Sequence, residues 1–113
     1  MSDYLFMPTE HFKARLSRIE SHDPPGYRRI WAVIERLLRN PADADGQMHG
    51  PHRGTFKKYV GRREYRLIYY YCELCRKANA RRHKECENCT TIPDNSVVFF
   101  DVFHKNEKEK LHY

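Results

Sequence analysis

The chain has 113 residues, 40% of them hydrophobic, which allows one domain around one core and excludes a multidomain assembly. Lys and Arg total 21 against 15 Asp and Glu, a formal charge of +6, and such a surplus favours a polyanionic partner because every neutralised phosphate releases condensed counterions. No apolar run approaches the roughly 20 residues that span a bilayer, and no basic-then-apolar leader opens the sequence; the expectation is a cytoplasmic protein with no membrane partner, where four cysteines hold metal rather than pair as disulfides.

Tyr4 to Met7 is a short apolar run with Pro8 behind it, which predicts a first strand. Thr9 is suited to cap a helix through its hydroxyl, and Phe12, Leu16 and Ile19 follow at spacings of four and three, one apolar stripe on a helix. Asp23-Pro24-Pro25-Gly26 breaks that helix and starts another, because proline in the first turn gives up only a donor that was already unpaired. The second helix is strongly patterned: Tyr27, Ile30, Trp31, Ile34, Leu37 and Leu38 recur with helical period while Arg28, Arg29, Glu35 and Arg36 take the other side. Asn40-Pro41 ends it. Two helices so closely linked predict a hairpin that needs a surface to cover.

Residues 40–54 are predicted to be a loop carrying His49, His52 and Arg53, of a length that is often functional. Three strands follow: Thr55 to Val60, Tyr65 to Cys72 and Ser96 to His104, each rich in aromatic and branched residues. Gly61-Arg62-Arg63-Glu64 turns the first into the second. The prediction is a single α+β domain over residues 1–113, in the order β-α-α-β-β-β, with two N-terminal helices on one face of a small, mainly antiparallel sheet. Residues 73–95 form a metal-binding insert between the last two strands.

Within and beside that insert, Cys72-Glu73-Leu74-Cys75 and Cys86-Glu87-Asn88-Cys89 make two Cys-x-x-Cys pairs. Two such knuckles supply the four thiolates of a tetrahedral zinc site, closed to water and therefore structural, so no catalytic metal is expected. Iron in the same cage and redox use of the thiols are the alternatives. Arg76, Lys77, Arg81, Arg82 and Lys84 more than offset the negative charge of a four-thiolate zinc centre and would leave a basic finger.

The order of elements and the wording of the second half resemble the RelE/ParE toxin superfamily, in its RelE-like or HigB-like mRNA-cutting branch. The residues that carry the resemblance are Pro41, Met48-His49-Gly50, Phe56 to Gly61, Glu64 to Tyr69, and the closing Val97 to Lys105. The zinc knuckle is not part of the usual family pattern. What the resemblance implies is the toxin of a type II toxin–antitoxin system, an endoribonuclease that cleaves mRNA on the ribosome, with a cognate antitoxin as partner. In that chemistry the 2′-hydroxyl attacks the adjacent phosphate, which calls for a base, cations around the phosphorane and a proton donor for the leaving oxygen. The resemblance implies Lys57, Arg66 and His104 as the catalytic group: Arg66 for the phosphate, His104 as acid or base, Lys57 for developing charge. Lys58, Tyr59, Arg62, Arg63 and Lys105 are expected to hold RNA. Tyr59 stands where the RelE pattern has a second lysine. Two rival functions are a ParE-like gyrase-binding toxin without nuclease activity, and a zinc-knuckle RNA-binding module without catalysis.

Overall fold

A computed structural model of the chain describes residues 4–47, 55–62, 64–71 and 95–105. The elements are β1 (Leu5–Pro8), α1 (Glu10–His22), α2 (Pro24–Arg39), β2 (Gly46–Gln47), β3 (Phe56–Val60), β4 (Tyr65–Tyr71) and β5 (Ser96–His104). The four cysteines lie outside the described residues, as do Met48, His49, His52, Arg53 and Arg63.

Local chemistry sets the helix boundaries. The Thr9 hydroxyl accepts from the Phe12 N–H at 3.1 Å and caps α1. Asp23 serves both helices: its N–H donates to the Ile19 carbonyl at the end of α1, and its carboxylate accepts from Gly26 N–H at the start of α2. Pro24 and Pro25 occupy the first turn of α2, where the missing donors cost nothing. Gly26 is required there, because a Cβ at that position would overlap the Asp23 carboxylate and press on the Tyr65 ring.

The sheet has five strands in the order β1-β5-β4-β3-β2. Its pairings are antiparallel except β1 with β5, which run parallel. The α+β arrangement therefore follows the sequence reading, with one addition: β2 is a two-residue strand inside the segment read as loop. Two residues are too few to leave a periodic signal, and their pairing with Phe56 and Lys57 is visible only in three dimensions. Gly61, at φ +63°, turns β3 into β4, a left-handed conformation that glycine adopts without a steric penalty.

Both helices lie on one face of the sheet. Phe12 and Leu16 from α1, and Ile30, Val33, Ile34 and Leu37 from α2, pack against Val60, Tyr65, Leu67, Tyr69, Val97, Phe99 and Val102. The Tyr69 hydroxyl reaches through this core to the Pro41 carbonyl at 2.6 Å. On the opposite face Ile68, Phe103 and Phe100 form a smaller apolar cluster.

β5 carries the irregularity that decides the site. Tyr69 pairs with Phe99 but Ile68 pairs with Asp101, so Phe100 is an extra residue in the ladder. The bulge begins where β1 stops. Beyond Phe99 the edge of β5 has no strand neighbour among the described residues, and side chains of α1 and its cap complete it: the Thr9 hydroxyl donates to the Phe100 carbonyl at 3.2 Å and Arg15 Nε to the Val102 carbonyl at 2.8 Å. Asp101, fully buried, accepts from Val102 N–H at 2.8 Å and sits 3.0 Å from His11 Nε2 and 3.3 Å from Arg15 Nε.

Candidate nucleic-acid interface

Alternation along β3 and β4 turns Lys57, Tyr59 and Arg66 away from the helices. Tyr59 and Arg66 are directly paired across the two strands. Arg66 Nη2 donates to the Tyr59 hydroxyl at 3.2 Å, and the guanidinium carbon lies 5.0 Å from the centre of the Tyr59 ring and 5.7 Å from that of Phe103. Lys57 Nζ stands 5.9 Å from the same Tyr59 ring. Lys57 opposes Ile68, two residues along β4 from Arg66, so the two cations are diagonal neighbours with backbones roughly 7–8 Å apart.

Neither cation has a carboxylate partner among the described residues. The nearby acids are engaged elsewhere: Glu64 with Arg29, Asp101 with His11 and Arg15, Asp43 and Asp45 with Lys58. A half-buried guanidinium normally finds a carboxylate. Here rings cover it instead, and its charge is left facing whatever anion arrives.

The other expected site residues separate. Lys58 points to the helix side, 3.5 Å from both Asp43 and Asp45, and its charge is spent on closing the β2–β3 hairpin. Asp45 also accepts from Tyr59 N–H at 2.7 Å, which fixes the strand that presents Tyr59. Arg62 is exposed in the β3–β4 turn, and Lys105 is exposed just past β5. The Lys105 N–H donates to the Glu64 carbonyl at 2.9 Å, so both cations belong to the end of the sheet that holds Tyr59 and Arg66.

His104 does not join the group. It pairs with Tyr65, whereas Arg66 pairs with Phe103, so the imidazole lies on the helix side. Its ring meets the Tyr65 ring edge-on at 5.2 Å. The bulge is the physical cause. Val97 and Phe99 face the helices; strict alternation from them would send His104 to the far side with Arg66, and the extra residue at Phe100 reverses the parity.

His104 belongs instead to a polar cluster at the α2 N-terminus, which sequence reasoning missed. The Tyr65 hydroxyl donates to Asp23 Oδ2 at 2.8 Å. That hydrogen bond, then the one from Gly26 N–H, with the charges of Arg29 and His104 adding, holds the Asp23 carboxyl below its ordinary range. Burial first, and the bond to Asp23 second, push the Tyr65 phenol well above its usual value. The signal available in sequence was the Asp-Pro-Pro cap; nothing in it announced Tyr65 as the partner.

No protein-family model matches the chain, and no curated protein matches it. Among solved structures, the chain is similar to a chain of the toxin–antitoxin complex RelBE2 from Mycobacterium tuberculosis, with a TM-score of 0.57 and 23% identity over 93% of this chain and 94% of that one. At that identity the likeness is one of fold. No described helix is long and apolar enough to cross a membrane.

Proposed function

We propose that this chain is the toxin of a type II toxin–antitoxin pair and an endoribonuclease that cuts mRNA on the ribosome. The observation that carries the reading is the Lys57–Arg66 pair: two cations without carboxylate partners among the described residues, side by side on neighbouring strands, on the sheet face that the helices leave alone. Arg66 takes two non-bridging phosphate oxygens as a fixed fork. Lys57 neutralises the charge that grows on the phosphorane as the RNA 2′-hydroxyl attacks. Arg62 and Lys105 extend the positive surface along the backbone of the strand being cut. His104, assigned to this chemistry from sequence, has no part in it here. The antitoxin is a protein that covers the same face with acidic groups. The four cysteines hold one zinc as a structural clamp at the base of the insert, a reading that rests on the donor set: four thiols in two Cys-x-x-Cys pairs.

One observation favours a second reading. Among the described strand residues beside Lys57 and Arg66 there is no imidazole, and the carboxylate opposite Ile68, Asp101, is engaged by His11 and Arg15, which suits a partner that is bound and not cut, as in a ParE-like gyrase inhibitor or a non-catalytic RNA-binding module.

Inducing wild-type and variant chains in cells, and following growth together with mRNA integrity, separates the readings. Wild type arrests growth and fragments mRNA. Lys57→Ala and Arg66→Ala each slow cutting by about 10²-fold or more, while His104→Ala stays within about threefold. Arrest with intact mRNA would establish the binder; undiminished cutting by both cation variants would refute the site.

A further inference from the structure

Among its described residues the face that holds Lys57 and Arg66 carries two phenols: Tyr70 is buried against Phe100, whereas Tyr59 is half-buried and stands against the cations. Tyr59 lies between the two cations, its ring 5.9 Å from Lys57 Nζ and 5.0 Å from the Arg66 guanidinium carbon. Its hydroxyl oxygen accepts from Arg66 Nη2 at 3.2 Å. An oxygen that accepts from a guanidinium still has its own proton to donate. A phosphate gripped by Arg66 is thereby brought within about one hydrogen-bond length of that phenol. Arg66 itself does not release a proton near neutral pH, and His104 is turned to the opposite face.

We infer that Tyr59 is the general acid of the cleavage, the group that protonates the departing 5′-oxygen; this rests on the nuclease reading above. The 2′-oxygen bonds to phosphorus as the bond from phosphorus to the 5′-oxygen breaks, leaving a 2′,3′-cyclic phosphate and a free 5′-hydroxyl. The Tyr59 proton goes to the 5′-oxygen. The proton of the 2′-hydroxyl goes to a solvent hydroxide, forming water, and the phenolate recovers its proton from water, which returns the hydroxide. Arg66, already hydrogen-bonded to the phenol oxygen, faces the charge left on it after transfer. The ring contributes separately, carrying both cations on its π system and keeping the guanidinium over the sheet.

The test uses the intact protein, with ribosomes if cutting requires them, and an RNA whose cut site has been mapped with wild type. That RNA is then made with sulfur in place of the 5′-bridging oxygen at the mapped site, because a thiolate leaves without being protonated. Tyr59→Phe keeps the ring and removes only the hydroxyl. The expectation is a loss of about 10²-fold or more on the oxygen substrate and of less than about tenfold on the sulfur substrate, the range of general-acid catalysis. Arg66→Ala loses on both. An equal loss on both substrates for Tyr59→Phe would reduce Tyr59 to a positioning residue and overturn the assignment, as would sulfur rescue of Lys57→Ala in its place. Tyr59→Phe cutting both RNAs at the wild-type rate overturns it while leaving the nuclease reading intact. If no cut site can be mapped with wild type, the nuclease reading fails first and takes this assignment with it.

Discussion

Replacing Asp101 by alanine tests how β5 is held where β1 ends. The carboxylate is fully buried, accepts from Val102 N–H at 2.8 Å, and faces His11 Nε2 at 3.0 Å and Arg15 Nε at 3.3 Å. Asp101→Ala orphans the Val102 N–H inside the protein, which costs about 1–3 kcal/mol. Removing one partner of a buried ion pair raises such totals toward roughly 3–5 kcal/mol. Two features pull the value down. Arg15 keeps the Val102 carbonyl at 2.8 Å, and His11 is 54% exposed, so solvent screens its share. The expected loss is about 3 kcal/mol, between those two ranges. In urea unfolding, with slopes of about 1–3 kcal/mol per molar, the midpoint falls by roughly 1–3 M. His11→Ala, which removes only the screened partner, is expected to cost less than about 1 kcal/mol. An Asp101→Ala loss below about 1 kcal/mol, or a His11→Ala loss equal to it, would mean that this carboxylate does not secure the bulge.

Two further expectations concern acid and metal. Because the folded Asp23 carboxyl is held below its unfolded value, its stabilising contribution is present above about pH 4 and disappears as pH falls through the folded value. Asp23→Asn should therefore unfold at lower urea than wild type at pH 7, with the gap closing in acid; a gap that persists at pH 2 contradicts the linkage. For the cysteines, elemental analysis of the purified chain is expected to give one zinc per molecule, lost in Cys86→Ser; a folded, metal-free wild type contradicts the clamp.

Much of this fold was legible because its signals are local. Thr9 and Asp23 sit where their side chains meet backbone donors three residues on, and the stripe from Ile30 to Leu37 repeats with the helix. Alternation along a strand also places Lys57 with Tyr59, Arg66 with Ile68, and Tyr70 opposite Tyr69, and the structure has them so. What sequence did not carry is the phase between strands. Whether His104 shares a face with Arg66 depends on one extra residue at Phe100, and that bulge depends on where β1 ends and on what Thr9 and Arg15 do at the vacated edge. None of this has a period or a composition. The partnerships that engage Lys58, and those that leave Lys57 and Arg66 without acids among the described residues, are likewise long-range: Lys58 is bound to acids in the turn before β2, and Asp101 to a helix at the other end of the chain.

The two rims of the sheet bear on self-association. Strands left open at a sheet's border recruit identical chains by templating new backbone ladders. Here β1 is four residues long and closes on Pro8, which lacks an N–H, and the Tyr4 N–H is already given to the Leu38 carbonyl; the other rim, β2, spans two residues. Among the described residues neither rim offers a long run of continuous backbone to seed stacking. A protein that docks here must be recognised by its side chains, and that makes specificity for one companion easier to evolve and promiscuous clumping harder.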